Sequence, residues 1–369
     1  MKKISIFLVA MIVLPFVFWS CQNKQNTIKI GVIISETGSA AEYGKWTRNG
    51  LEIALEEINK QSKRKLQLIY EDDATDSKKA IAAFNKLASI DKVSAIIGPI
   101  TSSSVLSVAP LAEKQELFLI SPCASNPHIT HAGNFIFRNW ISDEFEGKCI
   151  ANYFKDKQKI AVISMNNEYG IGVGNVFREE VMKNGSEIVF SGRFNENQTD
   201  FRPIIMQLLN LKPDMIFVPG HAKEVATLIR QSKELGLNTQ FASSVAFGSL
   251  EVFNIGGVSI EGTIFSSPYF DVESYSVEKF KNAYYSKHLV IPEVFTAHAY
   301  DALKIISEAI KNIDNENLAS NALRNYLITH TFDGITGKTI FDNNGDVIKP
   351  VAINVAIDNN FKILSIYEP

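Results

Sequence analysis

The chain has 369 residues, of which 46% are hydrophobic and 21% charged, and its formal net charge is -3. That length exceeds the ~250–300 residues at which a single core stops growing, so two domains are expected. The composition excludes wholesale disorder. The charge gives no sign of the basic surface that a nucleic-acid partner requires; the longest basic run, Lys63-Arg64-Lys65, falls in a turn between predicted elements and reads as solvated.

Met1-Lys2-Lys3 is a short positive start, and residues 4–19 carry no charge and are almost wholly apolar. This stretch falls short of the about 20 residues that a membrane helix needs. It fits a signal peptide over residues 1–20, ending at Ser20. Cys21 and a polar segment to Thr27 follow. The junction resembles the lipobox of bacterial lipoproteins, although Phe18 stands where leucine is usual and Trp19 is bulky. The resemblance implies lipidation of Cys21, a tether over 21–27 and an exported, membrane-anchored protein; the alternative is an uncleaved anchor. Of the remaining cysteines, Cys123 and Cys149 read as free thiols, and neither has metal-ligand spacing around it.

From residue 28 onward, short apolar runs alternate with amphipathic stretches. Residues 28–34 read as a strand. In 43–60, Thr47, Leu51, Ala54, Leu55 and Ile58 share one helical face. Strand 66–71, helix 77–89, strand 93–98, helix 102–115 and strand 117–121 continue the series. A second series comprises strand 159–164, helix 170–184, strand 187–191, helix 199–210, strand 214–219, helix 222–235 and strand 260–266. Such alternation implies βαβ units and parallel sheets. Helices at 273–288, 295–313 and 318–329 have no strands between them and should pack back on the first lobe. Residues 350–368 read as strands around Asp358-Asn359-Asn360. The fold class is therefore α/β, with two doubly wound parallel-sheet lobes. Lobe 1 is expected over 28–141 plus 268–347, and lobe 2 over 142–267 plus 348–369. Open parallel sheets bind ligands beyond the carboxyl ends of their strands, so two facing lobes make a cleft lined by strand-to-helix loops.

Two loops stand out at such positions. In Gly98-Pro99-Ile100-Thr101-Ser102-Ser103-Ser104 the serines open a helix, whose unpaired amides and dipole suit a carboxylate; plain N-capping is the competing reading. In Ser121-Pro122-Cys123-Ala124-Ser125-Asn126-Pro127, two prolines rigidify a loop whose small residues allow close backbone approach. The run Tyr169-Gly170-Ile171-Gly172-Val173-Gly174 has its third glycine one place early for a dinucleotide fingerprint. There is no G-x-S-x-G, H-E-x-x-H or Walker loop. His128 and His131 sit in a predicted loop rather than on a helix face, which argues against a metal. No catalytic residue, cofactor or metal is assigned.

The order of elements, the Gly98-to-Ser104 and Ser121-to-Pro127 loops and Glu168-Tyr169-Gly170 together resemble the Leu/Ile/Val-binding protein family. Ala299-Tyr300-Asp301-Ala302 and Gly334-Ile335-Thr336-Gly337 also recur there. These are periplasmic receptors of ABC importers with the type I binding-protein fold, and the likeness runs from Ile28 nearly to the end. It implies carboxylate binding at Ser102, a carbonyl offered by Cys123 beside Ala124, a hydroxyl at Ser125, and aromatic lids at Tyr43 and Tyr169. The family's second-lobe glutamate, which meets a ligand ammonium, falls on Val245, and a nearby tyrosine falls on His221. Asp143 or Glu144 could substitute, or Glu251 if the alignment slips; otherwise the ligand lacks an ammonium. The implied function is delivery of a small carboxylate-bearing ligand, a branched-chain amino acid or related acid, to an ABC permease by a monomeric lipoprotein. A sensor on the same fold, or an enzyme on the scaffold, are the rival readings.

Overall fold

The computed structural model describes residues 27–270, 273–314 and 318–369. The expected signal peptide, Cys21 and nearly all of the expected tether lie outside the described residues. In the first half, β1 (Ile28–Ile34), α1 (Ala41–Gln61), β2 (Leu66–Asp72), α2 (Ser77–Asn85), β3 (Ala95–Ile97), α3 (Ser102–Lys114), β4 (Leu119–Ser121) and β5 (Ile136–Arg138) follow one another. They build a five-stranded sheet of order β2-β1-β3-β4-β5, parallel throughout. Ile30, Val32, Ile34, Ile97 and Ile120 bury one face of this sheet under α1, while Ile33, Ile96 and Leu119 bury the other under α2 and α3. Near-continuous apolar strands are what a sheet covered on both faces demands.

The second half begins with α4 (Asp143–Tyr153), β6 (Lys159–Met165), α5 (Glu168–Lys183), β7 (Glu187–Phe194), α6 (Arg202–Leu211), β8 (Met215–Phe217), α7 (Ala222–Glu234), β9 (Gln240–Ser243), α8 (Glu251–Gly256) and β10 (Ile264–Pro268). Three helices come next: α9 (Tyr275–His288), α10 (Val294–Asn312) and α11 (Ser320–Thr329). Then follow β11 (Thr331–Gly334), β12 (Gly337–Ile340), β13 (Val351–Ile357) and β14 (Asn360–Tyr367). The second sheet has seven strands in the order β14-β13-β10-β9-β8-β6-β7. Its parallel part, β7-β6-β8-β9-β10, repeats the strand order of the first sheet. In each, the order reverses next to the first strand, between β1 and β3 and between β6 and β8, and such switch points open a crevice.

The second sheet is not wholly parallel: β13 and β14 form an antiparallel hairpin on its edge, turning through Asp358 and Asn359 at φ 52 and 55. α10 shares the core of α1 and the first sheet, where Ala299, Leu303 and Ile306 meet Leu51, Ala54 and Ile58. The hairpin β11–β12 was not expected from sequence. Its turn is held by the buried Asp301 carboxylate, which accepts from the amides of Ile335 and Thr336 at 3.0 and 2.8 Å and from the Thr336 hydroxyl at 2.5 Å. The Ala299–Ala302 and Gly334–Gly337 motifs therefore meet in space, and a Cβ on Gly334 would sit 2.3 Å from that carboxylate. Short segments were the other omissions: β5, β9, α4 and α8 are too brief or too mixed to carry a clear period. The predicted helix 77–89 ends its regular α geometry at Asn85 and continues as a wider turn, Lys86–Asp91. Among the described residues no helix is long and apolar enough to cross a membrane.

Candidate ligand-binding site

A cavity of about 70 Å³ lies between the two sheets, several times the roughly 10–15 Å³ that one water needs. Its lining comes from loops that leave the carboxyl ends of parallel strands: Ala40 after β1, Thr75 after β2, Thr101 after β3 and Cys123 after β4. From the second sheet come Tyr169 after β6, Glu196 after β7, His221 after β8 and Val245 after β9.

The wall from the first sheet is made of small groups locked to one another. Gly98, at φ +93, turns the chain out of β3 where a Cβ would meet the Ile33 carbonyl at 2.1 Å. Thr101 is the N-cap of α3, its hydroxyl accepting from the Ser104 amide. Capping is thus done by Thr101, not by Ser102, which leaves the Ser102 side chain for other work. Its hydroxyl oxygen accepts from the amides of Ser125 and Asn126 at 3.3 and 3.2 Å, joining the two loops that sequence reading singled out. With both acceptor positions used, its proton is left to donate. The Ser121 hydroxyl donates to the Pro99 carbonyl at 2.7 Å, and the Cys123 thiol donates to the Ile100 carbonyl at 3.4 Å. Burial pushes that thiol up to about 12, so it stays neutral. Cys123 and Cys149 are free and buried, as the sequence reading held.

Behind this wall, the buried Arg138 guanidinium ties the second loop down. It donates to the Ser125 and Asn126 carbonyls at 3.0 and 2.9 Å and pairs with Asp346 through two contacts of 2.6 Å.

The opposite wall is built from larger side chains. Tyr43, from α1, reaches across: its hydroxyl donates to the Ala246 carbonyl at 2.9 Å and accepts from the Ala222 amide at 3.1 Å. Its ring packs edge-on against Phe295 at 4.9 Å and lies 5.4 Å from His221. The Tyr169 ring is stacked with His221 at 6.4 Å, and its hydroxyl shares a 2.6 Å hydrogen bond with Ser244. Burial pushes the His221 imidazole below its usual value, against the opposing pull of Glu196 and Glu224. Its buried Nδ1 has no partner.

All eight residues singled out from sequence (Ser102, Cys123, Ala124, Ser125, Tyr43, Tyr169, His221 and Val245) line this one cavity. The acids considered as stand-ins at Val245 do not. Asp143 is buried at the start of α4, where burial and Glu146 push its carboxyl well up. Glu144 is exposed and paired with Lys148 at 2.6 Å. Glu251 lies outside this cavity beside Glu42, whose carboxyl is pushed up to about 8 by burial and by that neighbour. Phe295 and Glu196 are among the lining residues that the sequence does not single out. Phe295 opens α10 and stacks on Trp140 at 5.1 Å. Glu196 lies in Asn195-Glu196-Asn197, a polar loop at the end of a parallel strand, and that position was its signal.

The chain matches the family model described as periplasmic binding protein over residues 27–359. It is 30% identical over 357 residues to the leucine-, isoleucine-, valine-, threonine- and alanine-binding protein of Pseudomonas aeruginosa, covering 94% of this chain and 93% of that one. Among solved structures, a leucine binding protein from Thermotoga maritima superposes with a TM-score of 0.86 at 26% identity, over 93% of this chain and 99% of that chain. The branched-chain amino acid transporter substrate binding protein of Streptococcus pneumoniae, solved with isoleucine, superposes with a TM-score of 0.84 at 28% identity, over 93% and 100%. With these relatives and the shared two-sheet architecture, the chain belongs to the periplasmic binding protein family, of the branched-chain amino acid ABC transporter type.

Proposed function

We propose that this protein is an extracytoplasmic receptor that clamps a small carboxylate-bearing solute between its lobes and hands it to an ABC permease. On this reading it acts as a binding protein and not as an enzyme. The carrying observation is the cavity's composition: strand-end loops of both sheets converge on it, and the α3 N-terminus with Ser102 and Ser125 forms one side. A helix N-terminus with added hydroxyls suits a carboxylate. The lobes of the proposal are 28–141 plus 268–347 and 142–267 plus 348–369, turning about the segments between them. Contacts such as Tyr43 to Ala246 form only when these lobes approach, so ligand and closure favour one another. The relatives' branched-chain amino acids are the first solutes to try. The export reading rests on residues 1–21, with Cys21 as the lipidated N-terminus, and Cys21→Ala should release the protein from the membrane fraction.

The direct test is small-angle scattering of the protein with and without saturating leucine, isoleucine or valine. Compaction on addition of at least one supports a closing receptor. An unchanged profile, together with no heat of binding, would sink it.

A further inference from the structure

We propose that the Glu196 carboxylate is the cation-recognising group of this cleft, so that the ligand class is a zwitterion, a carboxylate that also carries an ammonium, and not a bare organic acid. This rests on the carboxylate-receptor reading above and deepens it. The family position for a counter-charge holds Val245, from which a neutral ligand nitrogen or no nitrogen at all would follow. The cavity itself argues otherwise. Among the described residues that line it, Glu196 alone carries a formal charge, since His221 is held neutral by burial.

Glu196 is also oriented. Its Oε2 accepts from the Ser39 hydroxyl at 2.6 Å, and its Oε1 accepts from the Asn167 side-chain amide at 2.7 Å. Both partners are neutral, and they use two of the about four acceptor positions that a carboxylate offers. The charge is thus fixed in place and still able to receive a donor. Its surroundings continue as a polar rim: Thr75 Oγ1 accepts from the Ala40 amide at 3.0 Å and Ser103 Oγ from the Glu168 amide at 3.3 Å. Tyr43, Phe295, Val245 and Ala246 supply the apolar part of the lining.

Electrostatics then select the ligand. The α3 N-terminus attracts an anion, while Glu196 repels one. A monoanion satisfies the first and worsens the second. A zwitterion answers both with one molecule. Because Glu196 is only half-buried, solvent weakens the effect, and about a tenfold preference is expected rather than the hundredfold of a fully dry charge-assisted bond.

The test is calorimetry with leucine, isoleucine and valine, each beside its 2-oxo acid, on the wild type, Glu196→Gln and Ser39→Ala. The proposal requires that an amino acid bind the wild type about tenfold more tightly than its 2-oxo acid. Glu196→Gln should erase that gap by weakening the amino acid alone, while Ser39→Ala, which loosens the carboxylate but keeps its charge, should narrow the gap without closing it. Two results overturn it and leave the carboxylate reading standing. One is tighter binding of the 2-oxo acids. The other is equal losses for both ligand types in Glu196→Gln and Ser39→Ala, which would make Glu196 a mere strut across the cleft. If the folded wild type binds neither series, the carboxylate reading and this proposal fall together.

Discussion

The two walls of the cleft are made in different ways. On the first-sheet side, Ser102, Ser121, Cys123 and Arg138 bind backbone atoms of neighbouring loops, so main chain fixes the surface and side chains are small. On the second-sheet side, Tyr169, His221 and Glu196 project bulky or charged groups, and contacts such as Tyr43 to Ala246 link them to the first wall. A backbone-fixed wall is preorganised and suits the feature every ligand of one class shares. A side-chain wall can change residue by residue without disturbing the fold, and suits what distinguishes one ligand from the next.

The largest effect should come from unlocking the first wall. Arg138 is fully buried and holds the Ser125 loop and Asp346 at once. Removing it strands a carboxylate and two carbonyls, so Arg138→Ala should lose about 3–5 kcal/mol of stability. Urea unfolding measures this. Arg138→Lys should recover little, because an ammonium cannot match the forked geometry. A loss below about 1 kcal/mol would mean the wall is held by something else.

Next comes the pH dependence behind the second wall. Buried Glu146 accepts from the Val245 amide at 3.0 Å and from the Ser266 hydroxyl at 2.7 Å, and burial raises its carboxyl from 4.5 to about 7. Its folded value lies above its unfolded one. Its contribution is therefore complete below about pH 4.5 and is lost as pH rises through about 7. The unfolding free energy of the wild type, from urea titrations, should fall over this window relative to Glu146→Gln, by roughly 2–3 kcal/mol in all. Parallel curves for the two proteins would show that Glu146 does not titrate there.

The smallest effect concerns the strap between the walls. Tyr43→Phe keeps the ring against Phe295 and removes the hydroxyl that meets Ala246 and Ala222. About 0.5–1.5 kcal/mol is at stake, or a roughly 2- to 10-fold faster ligand release in stopped-flow measurements. An unchanged release rate would mean closure does not draw on this contact.

The same contrast explains what could be read from the chain beforehand. The first wall is local in sequence: one loop carries Gly98 to Ser104, another Ser121 to Pro127, and turn chemistry marks both. The parallel strands and long helices were legible because periodicity is strong over their lengths. Glu196 was marked only by its place after a parallel strand, and a single acid in Asn195-Glu196-Asn197 otherwise looks like any solvated loop until folding sets it beside Ser39. In the sequence Phe295 marks only the start of a helix, and packing against Tyr43 and Trp140 is what sets it at the cavity. The hairpin β11–β12 depends on Asp301, more than thirty residues earlier in the chain, a partnership that no local pattern encodes.

The most direct test of the first wall as the anion site is calorimetric titration of Ser102→Ala with leucine and isoleucine, beside the wild type and with circular dichroism to verify folding. Thr101 caps α3, so the helix start survives the change. The lost hydrogen bond to a charged group is worth about 1.5–3 kcal/mol. Binding should therefore weaken by about 10- to 100-fold. A folded Ser102→Ala protein with the wild-type dissociation constant would contradict the account.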